Sequence, residues 1–303
     1  MAQTHICSVK GLSFKVRDGT WDEGIVNDVV LGNPYSVLLD QLSPGDICLD
    51  IGAHIGSFAI SAASRGARVY AFEPVPDNYA LLVENIALNH FQDRIMAINS
   101  AVWSSDTQKS MVIPPGNTGG GGLGWVGDTA ITVSCVGLSD FLRRENLQHC
   151  RGMKLDCEGS EYEILGSLSP QELQRFDVIS LEYHGLAGHD ASGLTSRLRA
   201  SGLITRQIPM GPPEHGIGML HAIREQLMLD KLNRLCQCSP LHVQAHLPES
   251  PYTRVPVIGW LWGLARRRVH ELVVYYINQA IVQQNLFNQE LVWALGMLKS
   301  HTK

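Results

Sequence analysis

Two acids and a glycine turn carry the first chemistry in this sequence. Asp50 lies at the end of the apolar run Asp46–Ile51, and Gly52-Ala53-His54-Ile55-Gly56 follows it. Glu73 stands 17 residues after Gly56, at the end of the next apolar run, Arg68–Phe72. Glycines let a backbone approach a ligand closely, and a helix after the turn offers its free amides. An acid at the end of a second strand can accept both hydroxyls of an adenosine ribose. The order is Gly-x-x-x-Gly, not Gly-x-Gly-x-x-Gly. Asp50 would also meet a dinucleotide pyrophosphate with a like charge, which is costly in a partly dry pocket. A ligand with an amino group or a sulfonium makes Asp50 an anchor instead. S-adenosylmethionine carries both cations and no phosphate.

The elements that must hold these residues alternate in type. Strands are expected over Ile6–Val16 and Trp21–Val30 around the Asp18-Gly19 turn. A strand enters the glycine turn, and a helix follows over Ser57–Arg65. Arg68–Phe72 is the next strand and Asp77–His90 the next helix, with Asp77 as its cap. Ile95–Asn99, Met153–Leu155 and Val178–Leu181 read as buried strands, and Leu203–Ile208 with Met219–Arg224 as a closing antiparallel pair. Strands separated by helices predict a parallel, doubly wound sheet with its ligand beyond the carboxyl ends of the strands.

Three motifs in order resemble one family. Leu49-Asp50-Ile51-Gly52-Ala53-His54-Ile55-Gly56, then Ala71-Phe72-Glu73-Pro74-Val75-Pro76-Asp77-Asn78, then Lys154-Leu155-Asp156-Cys157-Glu158-Gly159-Ser160-Glu161 are similar to the FkbM family of S-adenosylmethionine-dependent methyltransferases. Asn33-Pro34-Tyr35 and Val136–Leu142 sit in family order, so the resemblance covers roughly residues 10–225. It implies a class I methyltransferase fold: Rossmann-like, with a seven-stranded, mostly parallel sheet. It also implies O-methyl transfer to a hydroxyl of a sugar, glycan or natural product. The expected cofactor residues are Asp50, Gly52, Ala53, His54, Gly56, Glu73, Pro74, Ser100, Ala101 and Asp156. An NAD-dependent oxidoreductase and a non-catalytic scaffold are the alternatives.

An alcohol needs a base or a metal ion to become a nucleophile. Asp156 ends the fourth strand, and Glu182 and His184 end the fifth. A histidine with an ordinary pKa of about 6.5 suits a base at neutral pH, which favours His184 with Asp156 orienting the acceptor or cofactor. Asp156 and Glu182 sharing a magnesium ion is the alternative, and the sequence leaves the two open. Glu158 and Glu161 suit a helix start. Lys154 shares a strand face with Asp156, as a buried ion pair or a catalytic lysine. The run Gly119–Gly122 has no Gly-Lys-Ser/Thr after it, so it is no phosphate loop but a loop expected on the acceptor side.

Composition bounds the rest. The 303 residues are 45% hydrophobic and 17% charged, with a net charge of −5. That excludes disorder and gives no electrostatic case for nucleic acid. Residues 1–225 carry a net of −9 and residues 226–303 a net of +4. The sign change and a proline-rich stretch place a boundary near 225–255. The expected organisation is a β extension over 1–40, the methyltransferase domain over 41–225, and a linker with a basic helical tail over 226–303. In the tail, Val273, Ile277, Ala280, Gln284, Phe287, Leu291, Ala294 and Leu298 alternate steps of four and three. That heptad seam over 273–298 suits intrachain packing or a homodimer, and Arg266-Arg267-Arg268 suits peripheral contact with an anionic membrane. Cys236-Gln237-Cys238 with His242 and His246 is unlike the paired ligands of a zinc site. No apolar run approaches a membrane span, and seven scattered cysteines without a signal segment predict a cytoplasmic protein.

Overall fold

The computed structural model describes residues 3–32, 34–114, 120–123, 130–185, 190–212 and 216–230. The chain divides into two units, Met1–Glu225 and Gln226–Lys303, and the fold below is that of the first. The heptad seam, the arginine triplet and the Cys236–His246 cluster lie outside the described residues.

The amino-terminal 40 residues hold more helix than the sequence predicts. Ile6–Val16 is a hairpin of β1 (Thr4–Val9) and β2 (Leu12–Arg17). It turns at Lys10-Gly11, both with positive φ, the conformation that two-residue hairpin loops require. Trp21–Val30 is not a strand. It forms helix α1 (Asp22–Asn27) and a π-helical turn over Asp28–Gly32. Ile25, Val26, Val29 and Val30 recur at helical spacing, and Asp22 and Glu23 in the first turn complement the helix dipole. A short helix α2 (Ser36–Leu39) completes this region.

The strands that follow are short apolar runs, as a parallel sheet covered on both faces demands. In chain order they are β3 (Ile47–Ile51), β4 (Arg68–Phe72) and β5 (Ile95–Ile98), joined by α3 (Ser57–Ser64) and α4 (Pro76–Leu88). Pro76 opens α4 at a position where its missing N–H costs nothing; Val75 is the cap, and Asp77 adds only charge to the first turn. Next come β6 (Ala101–Trp103), β7 (Thr107–Val112), β8 (Gly122–Leu123), β9 (Ala130–Gly137) and α5 (Leu138–Arg144). The carboxyl half of the unit is β10 (Cys150–Leu155), α6 (Glu161–Ser167), α7 (Pro170–Leu173), β11 (Phe176–Tyr183), α8 (Ala191–Ala200), β12 (Leu203–Met210) and β13 (Ile217–Arg224).

Seven strands form one sheet in the order β5-β4-β3-β10-β11-β13-β12. All neighbours run parallel except β13, which is antiparallel to both β11 and β12. This is the class I methyltransferase fold that the motifs imply. The chain leaves β3 toward one edge and returns at β10 toward the other, so a crevice opens between their carboxyl ends. Beneath it, Leu49, Ile51, Phe72, Leu155 and Phe176 form a continuous core with the α5 face Leu138, Phe141 and Leu142. The Phe141 ring stands edge-on to Tyr70 and Phe72, with centroids 5.3 and 4.9 Å away. A second sheet, β6-β9-β7-β8, was not foreseen. Its β6 and β8 have three and two residues, too few to show any alternation.

Candidate functional site

A cavity of about 610 Å³ opens at the carboxyl ends of β3, β4, β10 and β11, within the usual range for a small-molecule site. The α1 region covers one part of it, and the second sheet adds Ala101, Met111 and Leu123. Five carboxylate residues line it: Asp28, Glu73, Asp156, Glu158 and Glu182. No Lys or Arg is among its described lining residues.

The glycine turn is built by its neighbours as much as for a ligand. Gly52 has φ +79°, and a Cβ there would strike the backbone carbonyl of Asp156. Gly56 has φ +98°, and its Cβ would come 2.7 Å from Leu82 Cδ1. The turn aims the backbone of His54 at Glu73, whose carboxylate accepts hydrogen bonds from His54 N (2.8 Å) and Val75 N (2.9 Å). Asn78 Nδ2 adds a third at 3.3 Å. A carboxylate has about four acceptor sites, so Glu73 keeps capacity for about one further hydroxyl. Burial pushes its pKa up, opposed by His54 and by these donors.

Behind Glu73 runs a buried network that sequence reading missed. Arg17 Nε donates to Asp22 Oδ2 at 2.8 Å and its Nη2 to Asp22 Oδ1 at 2.9 Å, and the same Nη2 donates to Asn78 Oδ1 at 2.8 Å. His54 Nε2 lies 3.4 Å from Asp22 Oδ1. Burial alone would raise Asp22, but His54 and Arg17 hold it well below the usual carboxylate range. The imidazole of His54 lines the cavity from a left-handed backbone at φ 51°. Its Nδ1 is buried without a hydrogen-bond partner among the described residues.

Asp50 does not reach the cavity. It is fully buried, and Lys154 Nζ lies 3.2 Å from its Oδ1, 2.6 Å from the Gly52 carbonyl and 3.7 Å from Asp156 Oδ2. Burial would lower the lysine pKa, but Asp50 and Asp156 outweigh it and raise it. Lys154 thus stands where a ligand cation was expected to meet Asp50, although neither Asp50 carboxylate oxygen has a hydrogen-bond partner among the described residues. Of the other expected cofactor residues, Gly52, His54, Glu73, Pro74, Ala101 and Asp156 line the cavity, while Ala53, Gly56 and Ser100 do not.

On the acceptor side, Tyr35 Oη donates to Asp156 Oδ2 at 2.9 Å. Glu158 has a left-handed φ of 53°, a strained state for a side chain of its kind, and turns toward the cavity rather than capping α6. Glu161 opens the first turn of α6, and its Oε1 accepts from Cys157 N at 3.1 Å. His184 lies behind this wall, not on it. Its Nε2 is 3.3 Å from Glu158 and 3.7 Å from Glu182, and its Nδ1 is 3.3 Å from Glu161. Burial would lower its pKa, but the Glu161 bond and the surrounding carboxylates push it up to about 9. The structure thus places the expected base His184 outside the cavity lining and among three carboxylates that favour its charged form. Burial instead pushes Glu158 up to about 7, and burial with the charge of Asp156 pushes Glu182 up to about 7. These carboxylates change charge near neutrality.

Among the described residues, no three His, Cys, Asp or Glu side chains are arranged to hold a metal ion. The described end of the glycine run, through Gly120 and Gly121, lines the cavity. Among the described residues no helix is long and apolar enough to cross a membrane.

A family model described as "Methyltransferase FkbM domain" matches residues 50–227. Hexuronic acid methyltransferase AglP of Haloferax volcanii is 26% identical over 195 residues, 64% of this chain and 75% of that protein. The 31-O-demethyl-FK506 methyltransferase FkbM of Streptomyces tacrolimicus is 26% identical over 179 residues, 49% of this chain and 69% of that protein. A tRNA (guanine(37)-N(1))-methyltransferase of Aedes aegypti is 39% identical over 69 residues, 23% of this chain, and the match spans only 12% of that enzyme's length.

Proposed function

This chain belongs to the FkbM family of S-adenosylmethionine-dependent methyltransferases, and we propose that it methylates a hydroxyl group of a sugar or natural product. The family closes the oxidoreductase and scaffold alternatives. The cavity suits the cofactor: Glu73 has acceptor capacity left for a ribose hydroxyl, and no described lining Lys or Arg waits for phosphate. Five lining carboxylates favour a ligand that carries a sulfonium. When bound, S-adenosylmethionine supplies an electrophilic methyl group.

The observation that carries the acceptor reading is the grouping of Asp156, Glu158 and Glu182 on the wall of the cavity that also holds Glu73. In this reading Glu182, whose pKa is pushed up to about 7, accepts the proton of the acceptor hydroxyl, a role worth roughly 10²–10⁴ in rate. Asp156, held by Tyr35, orients that hydroxyl. The His184 imidazolium holds Glu158 and Glu182 in place from behind. The names of the two long relatives, with a hexuronic acid and 31-O-demethyl-FK506 as substrates, support an oxygen acceptor. An RNA acceptor is disfavoured by the net charge of −9 over residues 1–225.

Incubation with methyl-labelled S-adenosylmethionine and a panel of glycosides, polyketide alcohols and matched amines tests the reading. Label is expected on a hydroxyl oxygen, as an ether resolved by mass spectrometry and NMR. Label on nitrogen alone, or on no alcohol, would contradict it.

A further inference from the structure

We propose that the acceptor is an uncharged sugar, and that the cavity discriminates against acceptors with a carboxylate or phosphate beside the reacting hydroxyl. This rests on the methyltransferase reading above and narrows its acceptor. Asp156, Glu158 and Glu182 line the acceptor side, with Asp28 elsewhere on the wall, and the described lining offers no Lys or Arg to balance an anion. The nearest cations are already engaged. Lys154 is buried between Asp50 and Asp156, Arg17 is held by Asp22 and Asn78, and His184 is enclosed by Glu158, Glu161 and Glu182. The internal segments outside the described residues, 115–119, 124–129, 186–189 and 213–215, contain no Lys or Arg in their sequence. Among the described residues, an acceptor anion would therefore meet like charges without a partner, in a site that water only partly screens.

The same groups suit neutral hydroxyls. Carboxylates only accept hydrogen bonds, and each sugar hydroxyl has one to donate. Trp21 lines the cavity and yet is 70% exposed, so its indole stands at the mouth. A large aromatic left in water at the entrance of a largely apolar cavity that carries five carboxylates is a face on which the carbon-bound side of a pyranose ring can pack, while its rim of hydroxyls reaches the carboxylates. Ile25 lines the cavity from the same helix.

The test compares kcat/KM for neutral aryl hexosides and the corresponding aryl hexuronosides with the full chain at pH 8, where Glu158 and Glu182 are ionised. S-adenosylhomocysteine affinity is measured by calorimetry on the same preparation. The neutral members should be preferred by about tenfold or more. Glu158→Gln, which removes one wall charge, should narrow that ratio, and Trp21→Ala should raise KM for the neutral glycoside with little change in kcat. Equal or better use of the hexuronosides would overturn the proposal and leave the methyltransferase reading standing. Transfer to alcohols but to no glycoside of either kind would also overturn it. Failure to bind S-adenosylhomocysteine would instead strike the reading beneath it.

Discussion

Glu158, Glu182 and His184 share protons in a way that sets the activity profile. If Glu182 is the base, it must be ionised, so kcat/KM should fall about tenfold per unit below pH 7, where its pKa of about 7 places the limb. His184 is the cation beside it, and its loss would make ionisation harder. His184→Gln should therefore move the limb to higher pH while S-adenosylhomocysteine affinity holds; a limb that stays in place would remove the positioning role. At the other end of the cavity, Glu73→Ala should weaken S-adenosylhomocysteine by about 1–3 kcal/mol, the cost of unpaired hydroxyls. Unaltered affinity by calorimetry would deny Glu73 its ribose. At this scale the sequence was legible for Glu73, Asp156 and Glu182, because strand ends announce themselves. The surroundings of Asp50 and His184 were not legible, because a side chain's countercharges come from elsewhere in the chain. Lys154 stands 3.2 Å from Asp50, and Glu158 and Glu161 lie 3.3 Å from His184, and no local pattern shows either.

At the scale of elements, the glycine turn and the amino-terminal hairpin position the site. Gly52 and Gly202 both have positive φ, but only at Gly52 would a Cβ meet another strand's backbone. Gly52→Ala should therefore destabilise the chain by about 1–3 kcal/mol more than Gly202→Ala in urea denaturation. Equal losses would mean that conformation, not the contact with Asp156, fixes the glycine. The hairpin and α1 act through Arg17 and Asp22, a buried pair whose removal from one side leaves a charge uncompensated. Asp22→Asn should cost about 3–5 kcal/mol. Because Asp22 is held below its unfolded pKa, that stability is present above about pH 4 and lost as pH falls further. The motif strands and the helices after them were readable from apolar runs bounded by glycine and proline. α1 was read as a strand because Trp21, Ile25, Val26, Val29 and Val30 are β-prone types. Their spacing, rather than their type, carried the answer.

For the whole molecule, the sheet order followed from the alternation of strands and helices, whereas the second sheet did not, because two of its four strands, β6 and β8, are too short to carry a period. The acid-lined cavity also lay beyond sequence, since its wall draws Asp28, Glu73, Asp156, Glu158 and Glu182 from four places in the chain. That wall has a global cost. Glu158 and Glu182 hold protons to about pH 7 and His184 to about pH 9, all above their unfolded values. The folded chain thus binds more protons at these groups than the unfolded chain, and stability should fall as pH rises from about 4.5 to 9, through the two carboxylates up to about pH 7 and through His184 from about pH 6.5. Thermal unfolding should show Tm declining over that window, less steeply in Glu158→Gln; a flat or rising wild-type profile would contradict the protonation scheme. The central claim is that one cavity holds the cofactor at Glu73 and activates a hydroxyl at Glu182. The most direct test is the methyl-transfer rate of Glu182→Gln with a neutral hexoside at saturating S-adenosylmethionine. A loss of about 10²-fold or more with S-adenosylhomocysteine affinity intact is expected, and turnover close to that of the wild type would contradict it.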